Sequence, residues 1–431
     1  MAGGHDPIPQ KVDPKGTNAR NILEPSTGTE IPEKEERTDE SLDESLEEGT
    51  TSRKNESLTA GLQVVGAFFM MFNSWGIANT FGAYQNYYEN ALLRDETPSR
   101  ISWIGSIQGF LLILVGGLFT GPIFDTGHLR GLGICTSIDS ALEAKNSLFG
   151  NTHFGPGEFF PQYFTERRAL AAGLAAAGSS LGGVIHPIVF HELQPRIGFR
   201  WATRVIAFIM LATLTIPLAV MRAKVFPSTR RPLFDFQVLR NIPYILFTIG
   251  EFFGFMGLYV PFYYITTYST EKKIAGPNLS FYLLTLINTG SILGRIVPNF
   301  FADLTGPLNI CTPFVLLCGL IAFCWPSIAS LGQAVTFCLA YGFFSGTFVS
   351  ITGPSIATLS TDLGLVGTHM GMSFAFASLG LLVGNPVAGV LLRGRGWLGP
   401  AMFCGATNLL AGLFILGARL AKTGKVLVVQ A

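Results

Sequence analysis

Two ionisable side chains sit where an ionisable side chain is costly. Glu251 is the one charge in the run from Asn241 to Ile265. It lies ~13 Å inside that run at ~1.5 Å per residue, near the middle of a bilayer core ~30 Å thick. A carboxylate at that depth faces a cavity, a partner or a proton path, or else is a neutral acid hydrogen-bonded between helices. Arg295 lies ~22 Å from the outer end of its own apolar run. Its guanidinium matches a carboxylate in a forked contact, the alternative being that it snorkels to the inner headgroups. Asn79, Asn288 and Asn385 are amides within apolar runs, suited either to solute contact or to interhelical hydrogen bonding. Asp125 and Asp303 close the inner ends of two runs and read as gating or packing residues, while His186 and His369 lie near run ends and read as interfacial. Arg204, near an outer end, reads as a snorkelling side chain.

These groups make no catalytic set. HExxH and GxxxxGK[ST] are both missing from the sequence, so an enzyme is not expected and any transport runs on gradients rather than on bound ATP. The six cysteines have no CxxC spacing and five lie in apolar runs, as small hydrophobes do. No metal, cofactor or nucleic-acid site is expected.

The elements that must position these residues are membrane helices. Charged residues are 13 % of the 431, with 36 Phe and 50 Gly, and the mean hydropathy is +0.42. That composition belongs to an all-α polytopic membrane protein. Hydropathy predicts ten spans, at 61–83, 101–122, 169–190, 203–221, 242–266, 280–302, 310–331, 333–357, 367–391 and 399–418. Six of them carry Gly four residues apart, as in Gly290 with Gly294 and Gly342 with Gly346, a spacing that lets helix backbones approach closely.

Residues 1–57 hold 14 acidic against 7 basic residues and almost no aromatics, so a disordered acidic tail is expected. The basic stretch 222–241 divides a first membrane half, 58–221, from a second, 242–418, with a short tail at 419–431. Residues 125–168 contain no 18-residue apolar run and read as a loop. With both termini inside, fourteen Lys and Arg fall on inner segments and eight on outer ones, which puts that loop and both termini in the cytoplasm.

Several phrases carry a family resemblance. The run from Phe72 to Gln85 (FNSWGIANTFGAYQ), Ser102–Gln108, Arg167–Gly173 continuing to Gly178–Gly183, Gly198–Arg204, Gly290–Arg295, Gly367–Met372 and Gly384–Gly389 resemble the fungal monocarboxylate porter-type members of the major facilitator superfamily. The resemblance covers nearly all of 61–418 except 130–158. It implies a bundle of the major facilitator type in which the third helix and most of the fourth of the usual twelve are missing. It further implies a secondary carrier that moves a small organic solute, a monocarboxylate or a fungal secondary metabolite, by alternating access across the plasma membrane. An anionic solute at Arg295, to which the resemblance also points, and a proton at Glu251, which burial would favour, are the candidate partners besides the bilayer. Two departures weaken the lactate–proton chemistry of the animal carriers: Asn79 stands where they have Lys, and Ser291 where they have Asp. The alternative is a non-transporting membrane protein, either a sensor or a degenerate truncated carrier.

Overall fold

In lipid a backbone must satisfy its own polar groups, so apolar runs of this length become helices. The computed structural model describes residues 39–125, 167–221 and 232–424 of the protein. Ten α-helices run through them: α1 (Asp39–Tyr87), α2 (Pro98–Asp125), α3 (Arg168–Val220), α4 (Ile242–Leu258), α5 (Val260–Glu271), α6 (Pro277–Thr305), α7 (Pro307–Cys324), α8 (Leu331–Leu359), α9 (Val366–Arg395) and α10 (Leu398–Thr423). Their starts follow local chemistry. The Thr97 hydroxyl accepts from Arg100 N ahead of α2, whose first residue is Pro98. Ser330 and Gln333 form a reciprocal capping box on α8. Gly306, at φ 93°, turns α6 directly into α7, which Pro307 opens.

Among the described residues nine helices are long and apolar enough to cross a membrane, α4 and α5 counting as one. The ten expected spans are reconciled by α3. At ~1.5 Å per residue its 53 residues would reach ~80 Å, far more than one crossing needs. Gly198, at φ 77° and ψ 163°, breaks it in a region only glycine occupies readily. The expected spans 169–190 and 203–221 lie on either side of that break. The expected span 242–266 is broken too, at Tyr259, two residues before Pro261, whose ring cannot continue the ladder.

The described helix α1 begins at Asp39, inside the stretch expected as a tail. The stretch has Glu and Leu, which favour helix, and acids where a helix start favours them. The expected loop at 125–168 falls, apart from its two ends, outside the described residues.

Residues from Asn55 onward form one compact unit. Within the second half α6 packs on α8, α4 on α9 and α10, and α7 on α10 and α8. Two seams join the halves, α3 along α6 and α2 along α9. Below the helices, the segment after Pro232 is tied to α9. The His369 ring holds Asp235 through Nε2 at 3.1 Å and Ser360 through Nδ1 at 2.9 Å, and Thr368 donates to Pro232 O at 2.8 Å.

The His369 bond holds the Asp235 carboxyl below its ordinary pKa. A carboxyl lowered on folding contributes stability that is present above its unfolded pKa and is lost as pH falls through the lowered folded value. Asp235→Asn is therefore expected to lower the melting temperature slightly at neutral pH. The gap to the parent should close at acid pH; thermal unfolding in detergent at a series of pH values reads this, and a gap that is constant with pH contradicts it.

Candidate functional site

The seam of α3 and α6 is antiparallel and joined at every level. At one end Asp303 accepts from the first amides of α3, Ala169 N at 2.8 Å and Leu170 N at 2.9 Å. A carboxylate there satisfies amides that have no partner within their own helix and complements the helix dipole. One step along, Arg295 Nη1 donates to Ala176 O at 3.1 Å and its Nε to Ser291 Oγ at 3.1 Å. Ser180 Oγ donates to Ser291 Oγ at 3.0 Å. Beyond it, a Cβ on Gly183 would lie 2.4 Å from Asn288 Oδ1 and 2.9 Å from Asn79 Cβ, so glycine alone lets α1, α3 and α6 meet there. At the far end the Tyr282 hydroxyl donates to Glu192 at 3.2 Å and Phe281 stacks on His191.

Arg295 is the centre of this arrangement. It is only 4 % exposed, and no carboxylate pairs with it among the described residues. It donates to a hydroxyl and a carbonyl, both uncharged, so its charge is not neutralised by them. Tyr259, at the break between α4 and α5, interacts electrostatically with it, has a hydroxyl without a partner and stacks on Trp75 of α1. Asn79 donates to Ser179 O at 3.3 Å and Asn288 to Leu284 O at 3.1 Å, each leaving its side-chain oxygen unpaired. The guanidinium is a group an anion would satisfy, and the unpaired amide oxygens would accept from a donor such as a hydroxyl on the same molecule.

The structure does not bring Glu251 to Arg295. Glu251 is fully buried between α4 and α9, where Ser373 Oγ donates to its Oε2, Thr248 joins Ser373 at 2.9 Å and Oε1 has no partner. Those contacts all lie within one half. Asn385 is buried on α9 with both side-chain polar atoms unpaired, beside Tyr264, whose hydroxyl donates to its carbonyl at 3.2 Å. Asp125 is the last residue of α2, and its side chain lies outside the described residues.

Two readings change, that of the histidines and that of Ser291. His186 and His369, expected at the interface, are both buried, the first edge-on against Phe72. Ser291, which looked like the loss of a functional acid, is a direct partner of Arg295. Arg204 stands over the exposed ring of Trp201 at 4.8 Å. Sequence reasoning missed Glu89 and Tyr264 altogether, although a carboxyl just past the end of a span is a visible signal.

Asp303→Ala should remove the cap that joins α6 to α3. A lost cap costs about 1 kcal/mol, so a modest fall in melting temperature is expected, with faster thiol labelling of an Ala169→Cys reporter. Unchanged labelling would show that the halves are held without it.

The model of the family described as Major Facilitator Superfamily matches residues 158–368. The MFS-type transporter dbaD of Emericella nidulans is 38 % identical over 386 residues, covering 84 % of this chain and 86 % of its own length. The chain belongs to the major facilitator superfamily. A second fungal relative, the agnestins efflux protein AgnL12 of Paecilomyces divaricatus, is 37 % identical over 84 % of this chain and 88 % of its own. The aspyridones efflux protein apdF of Emericella nidulans is 32 % identical over 84 % and 78 %. In fold, the crystal structure of the human organic anion transporter MFSD10 (TETRAN) matches with a TM-score of 0.63 at 14 % identity, covering 84 % of this chain and 99 % of that one.

As a major facilitator protein this chain is a transporter by family and not an enzyme. It is shorter inside as well: the 386 aligned positions with dbaD exceed what 84 % of 431 residues supplies, so some positions of that relative face no residue here. This fits a chain that has lost helices from the usual set.

Proposed function

We propose that this protein is a secondary carrier of the monocarboxylate porter-type group that exports a small anionic organic solute, a secondary metabolite, across the plasma membrane by alternating access. The observation that carries the reading is Arg295, a buried cation without a carboxylate partner among the described residues, placed where the two halves meet. In a rocking mechanism that seam is where a solute is exposed first to one side and then to the other. The names of two relatives, efflux proteins for agnestins and aspyridones, support the direction and the solute class. Both ends of the α3–α6 seam are fastened, so this seam has the form of a closed intermediate. With the amino terminus in the cytoplasm, Asp303 is at the inner end and Tyr282 at the outer.

Flux of labelled organic acids into inside-out vesicles under an imposed pH gradient tests the reading. Saturable uptake that responds to the gradient is expected. A second reading, a degenerate carrier without transport, draws on the positions missing against dbaD. Absence of flux for every acid tried, with the protein folded and inserted, would decide for it.

A further inference from the structure

Glu89 is used by nothing described so far. It lies in the π-turn Tyr88–Leu92 that ends α1, and π-turns concentrate at functional positions. Its two carboxyl oxygens take hydrogen bonds from opposite halves. Gln85 Nε2 of α1 donates to Oε1 at 2.9 Å, and Thr267 Oγ1 of α5 donates to Oε2 at 3.2 Å. Around that bridge the halves meet again: Ser99 Oγ of α2 donates to Pro386 O of α9 at 3.0 Å, and Tyr264 lies within hydrogen-bond reach of Ser102 and Gln85. The cluster also has unused capacity. Gln85 Oε1 and both side-chain polar atoms of Asn385 are buried without partners.

The charges near Glu89 do not neutralise it. The titratable groups that act on it, Tyr264 and Glu271, come from α5, the latter held by Trp397 Nε1 at 2.8 Å. The residues of α2 and α9 in the cluster, Ser99, Ser102 and Asn385, are uncharged. Arg100, at the start of α2, is paired with Glu96 in an exposed bridge. No cation pairs with Glu89 among the described residues.

We infer that Glu89 is a proton-binding site of this carrier, and that its protonation holds the outer end of the transport path closed. The inference rests on the carrier reading and on the cytoplasmic amino terminus, which together put Glu89 at the outer end. When ionised in the closed form, the carboxylate is half-buried and lies beside Glu271. Both penalties are relieved when α1 and α5 part and water reaches it. Burial, with Glu271 adding to it, accordingly pushes the Glu89 carboxyl above the ordinary range. A group raised in the closed form and ordinary in the open form takes up a proton on closing and loses it on opening. Acid outside therefore favours closure, and alkaline medium favours opening. The proton comes from the outer aqueous phase, adds to the carboxylate oxygen and returns to the same phase, so no other reactant is needed. For an exporter this order is useful: a solute released outside is followed by a proton that shuts the path behind it. Glu251, with its contacts inside one half, does not have this geometry.

The test reads opening directly. Ser102→Cys is introduced into a Cys324→Ser background, because Cys324 is the exposed thiol among the described residues. Sealed right-side-out vesicles are treated with a membrane-impermeant maleimide between about pH 5 and about pH 8, and rates are divided by those of Cys324 in the otherwise unchanged chain to remove the thiol's own titration. The normalised rate is expected to rise severalfold across that range. Glu89→Gln should be slow at every pH, and Glu89→Asp should keep the dependence. A second reporter, Ser106→Cys, also fully buried on α2, guards against a local defect at Ser102. A flat profile in the parent at both reporters, or the same profile in Glu89→Gln, overturns the inference. Organic-acid flux measured on the same vesicles separates the two readings: a flat labelling profile with flux intact removes Glu89 alone, while loss of all flux in the parent removes the carrier reading beneath it.

Discussion

Arg295→Gln is expected to abolish organic-acid flux, and Arg295→Lys to lower it by about tenfold or more. A hydrogen bond to a charged group contributes about 1.5–3 kcal/mol, roughly a factor of ten to a hundred in affinity or rate. Gln loses the charge and the fork together. Lys keeps the charge, but it is a point donor that cannot reach Ser291, Ala176 and a solute anion from one rigid plane. The Lys variant should show its loss mainly as weaker apparent affinity. The Gln variant should show no saturable flux at any concentration. Because Arg295 also fastens the α3–α6 seam, both variants need a folding control, and detergent melting curves supply it. Full flux in a well-folded Arg295→Gln would leave the side chain a purely structural bridge and remove the anion from the proposed function.

Depth along an apolar run is legible in a sequence, and depth alone drew attention to Glu251 and Arg295. The face a residue presents is not legible when the helix is apolar all round. Glu251 and Arg295 therefore looked equivalent, yet one is enclosed by Ser373 and Thr248 inside a single half and the other bridges two halves. The spans themselves could be read because hydrocarbon forces helical backbone over known lengths. Their breaks at Gly198 and Tyr259 were partly legible, through the glycine and through Pro261. The antiparallel pairing of α3 with α6 was not, since nothing local says which helix lies beside which. That pairing turns Ser291 from a missing acid into a ligand of Arg295 and gives Asp303 two amides to hold. Glu89 escaped for a different reason. Hydropathy ends the first span at residue 83, and a carboxyl beyond that point reads as solvated until α5 is seen to close over it.

The largest structural effect is expected where α6 crosses α8. Four glycines make that crossing, and each meets the opposite helix's backbone. A Cβ on Gly290 would lie 2.3 Å from Leu339 O, one on Gly294 2.0 Å from Phe343 O, one on Gly342 2.0 Å from Ile287 O and one on Gly346 2.7 Å from Ser291 O. No rotamer change relieves a clash with a carbonyl, so the helices themselves must move apart. Separation loses dispersion contacts along the whole crossing and the close approach on which Cα–H···O contacts depend. Lipid tails cannot replace these, because helix association within a bilayer comes from packing rather than from exclusion of water. Overpacking a tight site costs about 1–3 kcal/mol even when side chains can yield, and more is expected when backbone must. Gly294→Val and Gly342→Val should each sharply reduce the folded, monodisperse protein recovered in detergent, with the melting temperature of what remains lowered by several degrees. The double variant should fall short of the sum of the singles, since the first substitution already parts the helices for the second. Gly332→Ala is the control: it lies on the same α8, has nothing within 4 Å of an added Cβ, and should behave as the parent. The displacement should also reach the site. Arg295 follows Gly294 directly and projects to α3 on the other side of α6, so any surviving Gly294→Val protein should label faster at an Ala176→Cys reporter. Recovery and melting of both valine variants at parental levels would mean that this crossing is far looser than its backbone distances require.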